Sequence, residues 1–190
     1  MEQTLLKLAK ELNKSGVGWG IGGSLLLKKH LLVEVAHDID IIVSVVDIDK
    51  AVEVLDVLAI RVVPPIKEEY STKHFFQYIL DGISIDVMSQ FTIRHDFGSY
   101  EFVFDDKSIT DIVTIEHVDL PYTSLEDWLI AYMLMINRES KVRAIWNHLI
   151  CKGVNHPEII ERALIQHLPK SIELELKVLL SHKKDDFKSF

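Results

Sequence analysis

The chain has 190 residues, 48% hydrophobic and 26% charged, which suits one domain with a substantial core or a domain with a helical extension. Its formal net charge of −8, from 29 acidic and 21 basic residues, argues against a protein that grips a long stretch of nucleic acid by its phosphates. No apolar run approaches the roughly 18–20 residues that cross a bilayer, the start has no basic segment leading into a signal core, and the single cysteine, Cys151, has no partner for a disulfide or a zinc site, so a cytoplasmic protein is expected.

Residues 2–14 have helical spacing, with Leu5, Leu8, Ala9 and Leu12 in one stripe opposite Lys7, Lys10, Glu11 and Lys14. Ser15-Gly16 ends that helix, and residues 17–21 read as the first strand. The stretch 19–43, WGIGGSLLLKKHLLVEVAHDIDIIV, is the most informative in the chain. Gly22, Gly23 and Ser24 permit a tight turn and close backbone approach, and Ser24 suits the N-cap of a helix carrying Leu25, Leu26, Leu27 and Leu31. A helix start of this kind attracts anions. Lys28 and Lys29 follow, where a solvated face is a simpler reading than phosphate steering.

Asp38-Ile39-Asp40 then precedes Ile41-Ile42-Val43. In a strand, residues two apart share a face, so both carboxylates project together while Ile39 and Ile41 are buried the other way. Like charges so close repel unless something positive lies between them. A hard divalent cation, Mg2+ or Mn2+, meets that need with oxygen ligands. His37 points to the opposite face.

Residues 47–58 return to helical spacing. Asp47 and Asp49 make a second Asp-x-Asp pair, assigned to N-capping and the helix dipole. Residues 59–63 read as a short strand stopped by Pro64-Pro65. Over 74–88, two β-rich runs flank Asp81-Gly82, a strong hairpin signal. Ser84, Asp86 and Met88 share a face of the second strand, and a carboxylate embedded there is costly without a partner. Strands are expected at 100–104 and 112–118, with a turn at 105–107 containing Asp105-Asp106. Arg94 and His95 lie near enough to reach a nucleotide, with a solvated loop an equal reading. From Leu120 the pattern turns helical: Thr123 with Glu126 or Ser124 with Asp127 could form a capping box, and helices are expected up to Met135 and over 138–152, 157–168 and 171–184.

The Gly-Gly-Ser turn, the thirteen residues 25–37 and the Asp-x-Asp pattern in an apolar run resemble the nucleotidyltransferase superfamily, which shares the polymerase beta palm. The resemblance implies an α+β fold with a mixed sheet, a palm-like core over 1–120 and a packed helical segment over 121–190. It implies transfer of a nucleoside monophosphate from an NTP to an acceptor, with release of pyrophosphate and with Mg2+ or Mn2+ as cofactor. Asp38, Asp40 and Asp86 become the metal-binding and catalytic carboxylates, and Gly22, Gly23 and Ser24 hold phosphate. Residues 120–149 resemble the helical segment that follows the palm in small bacterial members. There, Arg138 and Lys141 match basic residues that face nucleotide or acceptor, while Tyr132 stands where many relatives carry a lysine.

No motif names the acceptor. Among relatives it is an antibiotic hydroxyl, a protein side chain or an RNA end, and the acidic balance disfavours extended RNA. A homo-oligomer or a partner protein is compatible with the sequence. A second reading is a nucleotide-binding regulator or antitoxin-type partner with weak or no turnover. A third, a small-molecule phosphotransferase or hydrolase on an unrelated scaffold with His30, His37, His74 and His95 as metal ligands, lacks any recognisable ligand spacing.

Overall fold

A computed structural model describes residues 1–64, 71–105 and 107–182. Three expected features, Pro65, Asp106 and the end of the 171–184 helix, lie wholly or partly outside the described residues. The first helix, α1 (Glu2–Ser15), buries the stripe of Leu5, Leu8, Ala9 and Leu12. Gly16 ends it at φ 70°, the left-handed conformation that glycine reaches without strain. Asn13 ties the helix to the sheet, accepting from Trp19 Nε1 and donating to the Asp119 carbonyl.

The chain then runs through β1 (Trp19–Ile21), α2 (Gly23–Lys29), β2 (Asp38–Val43), α3 (Ile48–Leu58) and β3 (Ile60–Val62). The hairpin follows as β4 (His74–Leu80) and β5 (Ile83–Ser89), with Asp81 and Gly82 both at positive φ in its turn. Next come the small two-stranded sheet, β6 (Thr92–His95) and β7 (Gly98–Glu101), and a second hairpin, β8 (Ile109–Ile115) and β9 (Val118–Thr123). The helices α4 (Leu125–Leu134), α5 (Glu139–Lys152), α6 (Pro157–Ala163) and α7 (Lys170–Leu180) complete the order. The main sheet has the order β3-β4-β5-β2-β1-β9-β8. It is mixed: β2 runs parallel to β5 and antiparallel to β1, while β1 runs parallel to β9. The fold is α+β, as the resemblance implied.

Several expectations change. The strand expected at 112–118 is a hairpin whose turn residues, Glu116 and His117, stand at φ 50° and 63° without a glycine or asparagine to announce them. Strand β9 carries the chain beyond residue 120 to Thr123, whose hydroxyl donates to the Ile21 carbonyl and accepts from Trp128 Nε1. Of the two capping options, Ser124 with Asp127 is used, as a side-chain cap rather than a reciprocal box: the Ser124 hydroxyl accepts the Asp127 N–H and donates to Asp127 Oδ2. Asp47 does not cap α3 through its side chain; its carboxylate accepts the Gly18 N–H and fixes the approach to β1. The helix expected through residue 168 ends at Ala163, and the following turn returns Leu168 to the core.

Helix α4 is buried from Leu125 to Tyr132 and lies at the centre of the helical half. Its two acidic residues are spoken for. Glu126 accepts the backbone N–H groups of Asn155 and His156 ahead of α6. Asp127 is met by the Arg162 guanidinium at 3.0 Å, and Arg162 also reaches Asp105 and the Val103 carbonyl. Among the described residues, no helix is long and apolar enough to cross a membrane.

Candidate active site

Two adjacent parallel strands set the carboxylates. The β2–β5 register pairs Asp40 with Asp86 across the ladder, and Asp38 lies two residues back on the same face as Asp40. Ile39, Ile41, Ile85 and Val87, at the intervening positions, are fully buried. All three acids line one cleft of about 400 Å3, together with Ser24, Arg138 and Lys141. That volume falls within the range of small-molecule sites.

Burial pushes the Asp40 carboxyl up to about 7, and the neighbouring charges of Asp38 and Asp86 push the same way. Lys141 and the Ser24 N–H oppose the rise without cancelling it. The site therefore has a surplus of negative charge on hard oxygen donors, the chemistry that suits Mg2+ or Mn2+. Among the described residues, no three His, Cys, Asp or Glu side chains are gathered tightly enough to form a ready metal cage. Asp86 is instead oriented by Gln77, directly across the hairpin, whose Nε2 donates to Asp86 Oδ1 at 2.8 Å. The two residues are equidistant from the Asp81-Gly82 turn, so the hairpin register already paired them.

The glycine turn packs against this acid. The Gly22 N–H donates to the Asp40 carbonyl, and Gly22, rather than Ser24, stands at the N-cap of α2. At Gly23, φ is 58° and an added Cβ would overlap the Asp40 carboxylate; at Gly22 it would overlap the Trp128 ring. Glycine is needed at both positions because side chains from two other elements occupy the space. Gly23→Ala should displace Asp40 and remove activity, while far-ultraviolet circular dichroism stays close to that of the parent; a fully active Gly23→Ala protein would show that the turn and the acid move independently.

On the far wall, Lys141 Nζ donates to Ser24 Oγ at 2.8 Å and to the Tyr132 hydroxyl at 3.4 Å, with the Tyr132 ring centre 4.9 Å away. Burial and the Arg138 charge push the Lys141 ammonium down, while Asp40 and Asp38 hold it up. Tyr132, which stands where many relatives carry a lysine, thus carries a lysine ammonium brought from α5. Arg138 lines the same cleft, its Nε buried and without a hydrogen-bond partner among the described residues.

Other candidates lie elsewhere. Lys29 pairs with Asp111 at 2.6 Å and sits over the Tyr122 ring, while Lys28 is exposed. Arg94 is exposed, and His95 bonds the His167 carbonyl. His30 faces His148 in an edge contact, its pKa lowered to about 4 by burial and then by Lys29 and His148.

Sequence reading placed Met88 on the face of Asp86 but did not single out the rest of the apolar wall of the cleft, Phe75, Phe91, Trp128 and Met135. Strand alternation places Phe75 on the face of Gln77, and Trp128 and Tyr132 are one helical turn apart, so both signals were present.

Neither a protein-family model nor a curated protein sequence matches the chain. Solved structures do. A Thermotoga maritima protein classed as a nucleotidyltransferase superposes with a TM-score of 0.59 at 24% identity, covering 77% of this chain and 91% of its own. ANT(2")-Ia, solved in complex with adenylyl-2"-tobramycin, gives 0.55 at 14% identity over 95% of this chain and 98% of its own. The lincosamide antibiotic adenylyltransferase LnuA, lincomycin-bound, gives 0.51 at 14% identity, covering 76% of this chain and 96% of its own. The chain has the nucleotidyltransferase fold, the one expected from the Gly-Gly-Ser turn and the Asp-x-Asp strand.

Proposed function

We propose that the protein transfers a nucleoside monophosphate from an NTP to a small-molecule acceptor, releasing pyrophosphate. The observation that carries this reading is the register of β2 and β5, which sets Asp40 beside Asp86, with Asp38 on the same face, in a cleft whose other wall bears Lys141 and Arg138. The neighbours add weight, since two of them are solved with adenylylated tobramycin or with lincomycin.

Asp38, Asp40 and Asp86 would hold Mg2+ or Mn2+, which supplies charge neutralisation at the triphosphate and a lower pKa for the acceptor hydroxyl. Gly22 and Gly23 let Trp128 and Asp40 pack directly against the turn, and Ser24, next in the chain, faces the cleft where phosphate would lie. Lys141 and Arg138 neutralise phosphate oxygens from the opposite wall, and Lys141 is held in place by Ser24 and Tyr132. Phe75 and Met135, partly exposed at the cleft, give the nucleoside an apolar surface and exclude water, backed by the buried Phe91 and Trp128. Asp86, oriented by Gln77, takes the proton of the acceptor hydroxyl.

The test is a screen of the four NTPs against hydroxylated small molecules with Mg2+, reading pyrophosphate and adduct mass. An adduct heavier by one nucleoside monophosphate is expected; hydrolysis of the NTP with no adduct would count against transfer. Lys141→Met should lower kcat/KM by about ten- to a hundredfold, mostly through KM for the NTP. An unchanged KM would remove Lys141 from the phosphate site.

A second reading, a nucleotide-binding regulator, has one observation on its side: the three carboxylates do not form a ready cage among the described residues. Metal-enhanced NTP binding without pyrophosphate release would favour it.

A further inference from the structure

The sheet wall of the cleft changes its chemistry in steps. Phe75 and Gln77 share a face of β4, and Lys73, just before the strand, continues that alternation and also lines the cleft. Strand β5 matches the series: Asp86 stands opposite Gln77 and Met88 opposite Phe75, while the Lys73 N–H donates to the Gln90 carbonyl at 3.5 Å. Gln90 then takes φ 50°, and Phe91 lies in the wall against Trp128, their ring centres 6.4 Å apart. The rows are thus an acid, an apolar pair and an ammonium. Successive rows are about 6.7 Å apart, so the Lys73 backbone lies about 13 Å along the sheet from the carboxylate row.

Arg138 and Lys141 reach the cleft from the helical half of the protein, and Lys73 reaches it from the sheet. Lys141 is held by Ser24 and Tyr132, whereas the half-buried Lys73 has no side-chain hydrogen bond or ion pair among the described residues. A triphosphate held beside Ser24, Arg138 and Lys141 has its α-phosphate at the carboxylate row, where the bond is exchanged. The nucleoside then extends over Phe75, and the far edge of its base arrives at the Lys73 ammonium.

An ammonium group donates hydrogen bonds and accepts none, so it favours a base edge made of acceptors. Guanine offers O6 and N7 side by side, whereas adenine and cytosine put an amino donor in the place of that carbonyl. Uracil has the carbonyl but no N7, and its single ring ends closer to the sugar. We infer that Lys73 reads the base and that the preferred NTP is GTP. This rests on the nucleotidyl-transfer reading and names the nucleotide for it.

The test is calorimetric titration of the intact protein in Mg2+ with the α,β-methylene analogues of GTP, ITP, ATP and UTP, and with inorganic triphosphate. ITP keeps O6 and N7 but lacks the amino group of guanine. The GTP and ITP analogues should bind alike, and the ATP and UTP analogues about tenfold more weakly. Lys73→Met should bring the GTP analogue down to the level of the ATP analogue and leave inorganic triphosphate unchanged. Lys73→Glu should reverse the order, because a carboxylate accepts from the adenine amino group, and loss of structure would not produce a reversal. Equal binding of the GTP and ATP analogues by the parent, or ITP binding as weakly as ATP, would overturn the inference. So would a Lys73→Met loss shared equally by every nucleotide and by triphosphate, which would make Lys73 a phosphate contact. Should no nucleotide analogue bind the parent, the transfer reading fails and the base assignment falls with it; binding without a guanine preference sinks the base assignment alone.

Discussion

Asp40→Asn should abolish nucleotidyl transfer, by roughly a thousandfold or more, and at the same time raise the melting temperature of the ligand-free protein at neutral pH. The two effects have one cause. Asp40 sits between Asp38 and Asp86 on the cleft floor, and burial with those neighbours raises its carboxyl from 3.8 to about 7. A raised carboxyl binds more protons folded than unfolded between those two values. Stability is therefore fully present below about pH 4 and is lost as pH climbs through about 7. The asparagine removes that loss while its amide oxygen can still accept the Ser24 N–H that Asp40 accepts.

A gain on the order of 1–3 kcal/mol above pH 7 is expected, allowing for the part of the carboxyl open to the cleft. No gain is expected near pH 4. Thermal melts at several pH values measure the gain, and pyrophosphate release measures the loss of activity. Binding of a divalent cation should strengthen as pH rises through about 7 in the parent, with proton release. A fully active Asp40→Asn enzyme would end the assignment of this acid to the reaction.

Arg162→Ala should be the most destabilising single change outside the sheet. Asp127 has no exposed side-chain surface, and burial raises its carboxyl to about 6 even with Arg162 beside it. The same guanidinium joins α6 to α4 and to the segment before β8, through Asp127, Asp105, Val103 and Ser108. Removing it leaves a buried charge without its partner, a loss of about 3–5 kcal/mol. For a chain of this length that corresponds to a melting temperature lower by roughly 6–20 °C.

Because the unpaired Asp127 can be protonated, the loss should be smaller at pH 5 than at pH 8. The double substitution Arg162→Met with Asp127→Asn should recover much of it, since neither charge is then stranded. If the double variant is no more stable than Arg162→Ala, the pair is not the source of the effect. Activity should fall in step, because α4 also positions Trp128 and Tyr132 in the candidate site.

Local chemistry was legible along the chain wherever one residue pattern admitted one structure. The Asp-Gly turn and its flanking strands, the stripe of α1 and the Asp-x-Asp strand all follow from short-range rules of alternation, helical spacing and turn conformation. The second hairpin was missed because Glu116 and His117 adopt positive φ with side chains that do not ordinarily favour it. That cost is met by the pairing of β8 with β9, which no window of sequence displays.

The sequence by itself determined that two acids share a face, that a third lies on a hairpin strand, and that a glycine turn precedes them. Only the tertiary structure decided that Asp86 stands opposite Asp40, that Lys141 reaches Ser24 from 117 residues away, and that Tyr132 takes up the ammonium of Lys141. The physical reason is range. Backbone geometry is set by neighbours in sequence, whereas strand order and the packing of α5 against the cleft depend on which buried surfaces fit one another across the whole chain.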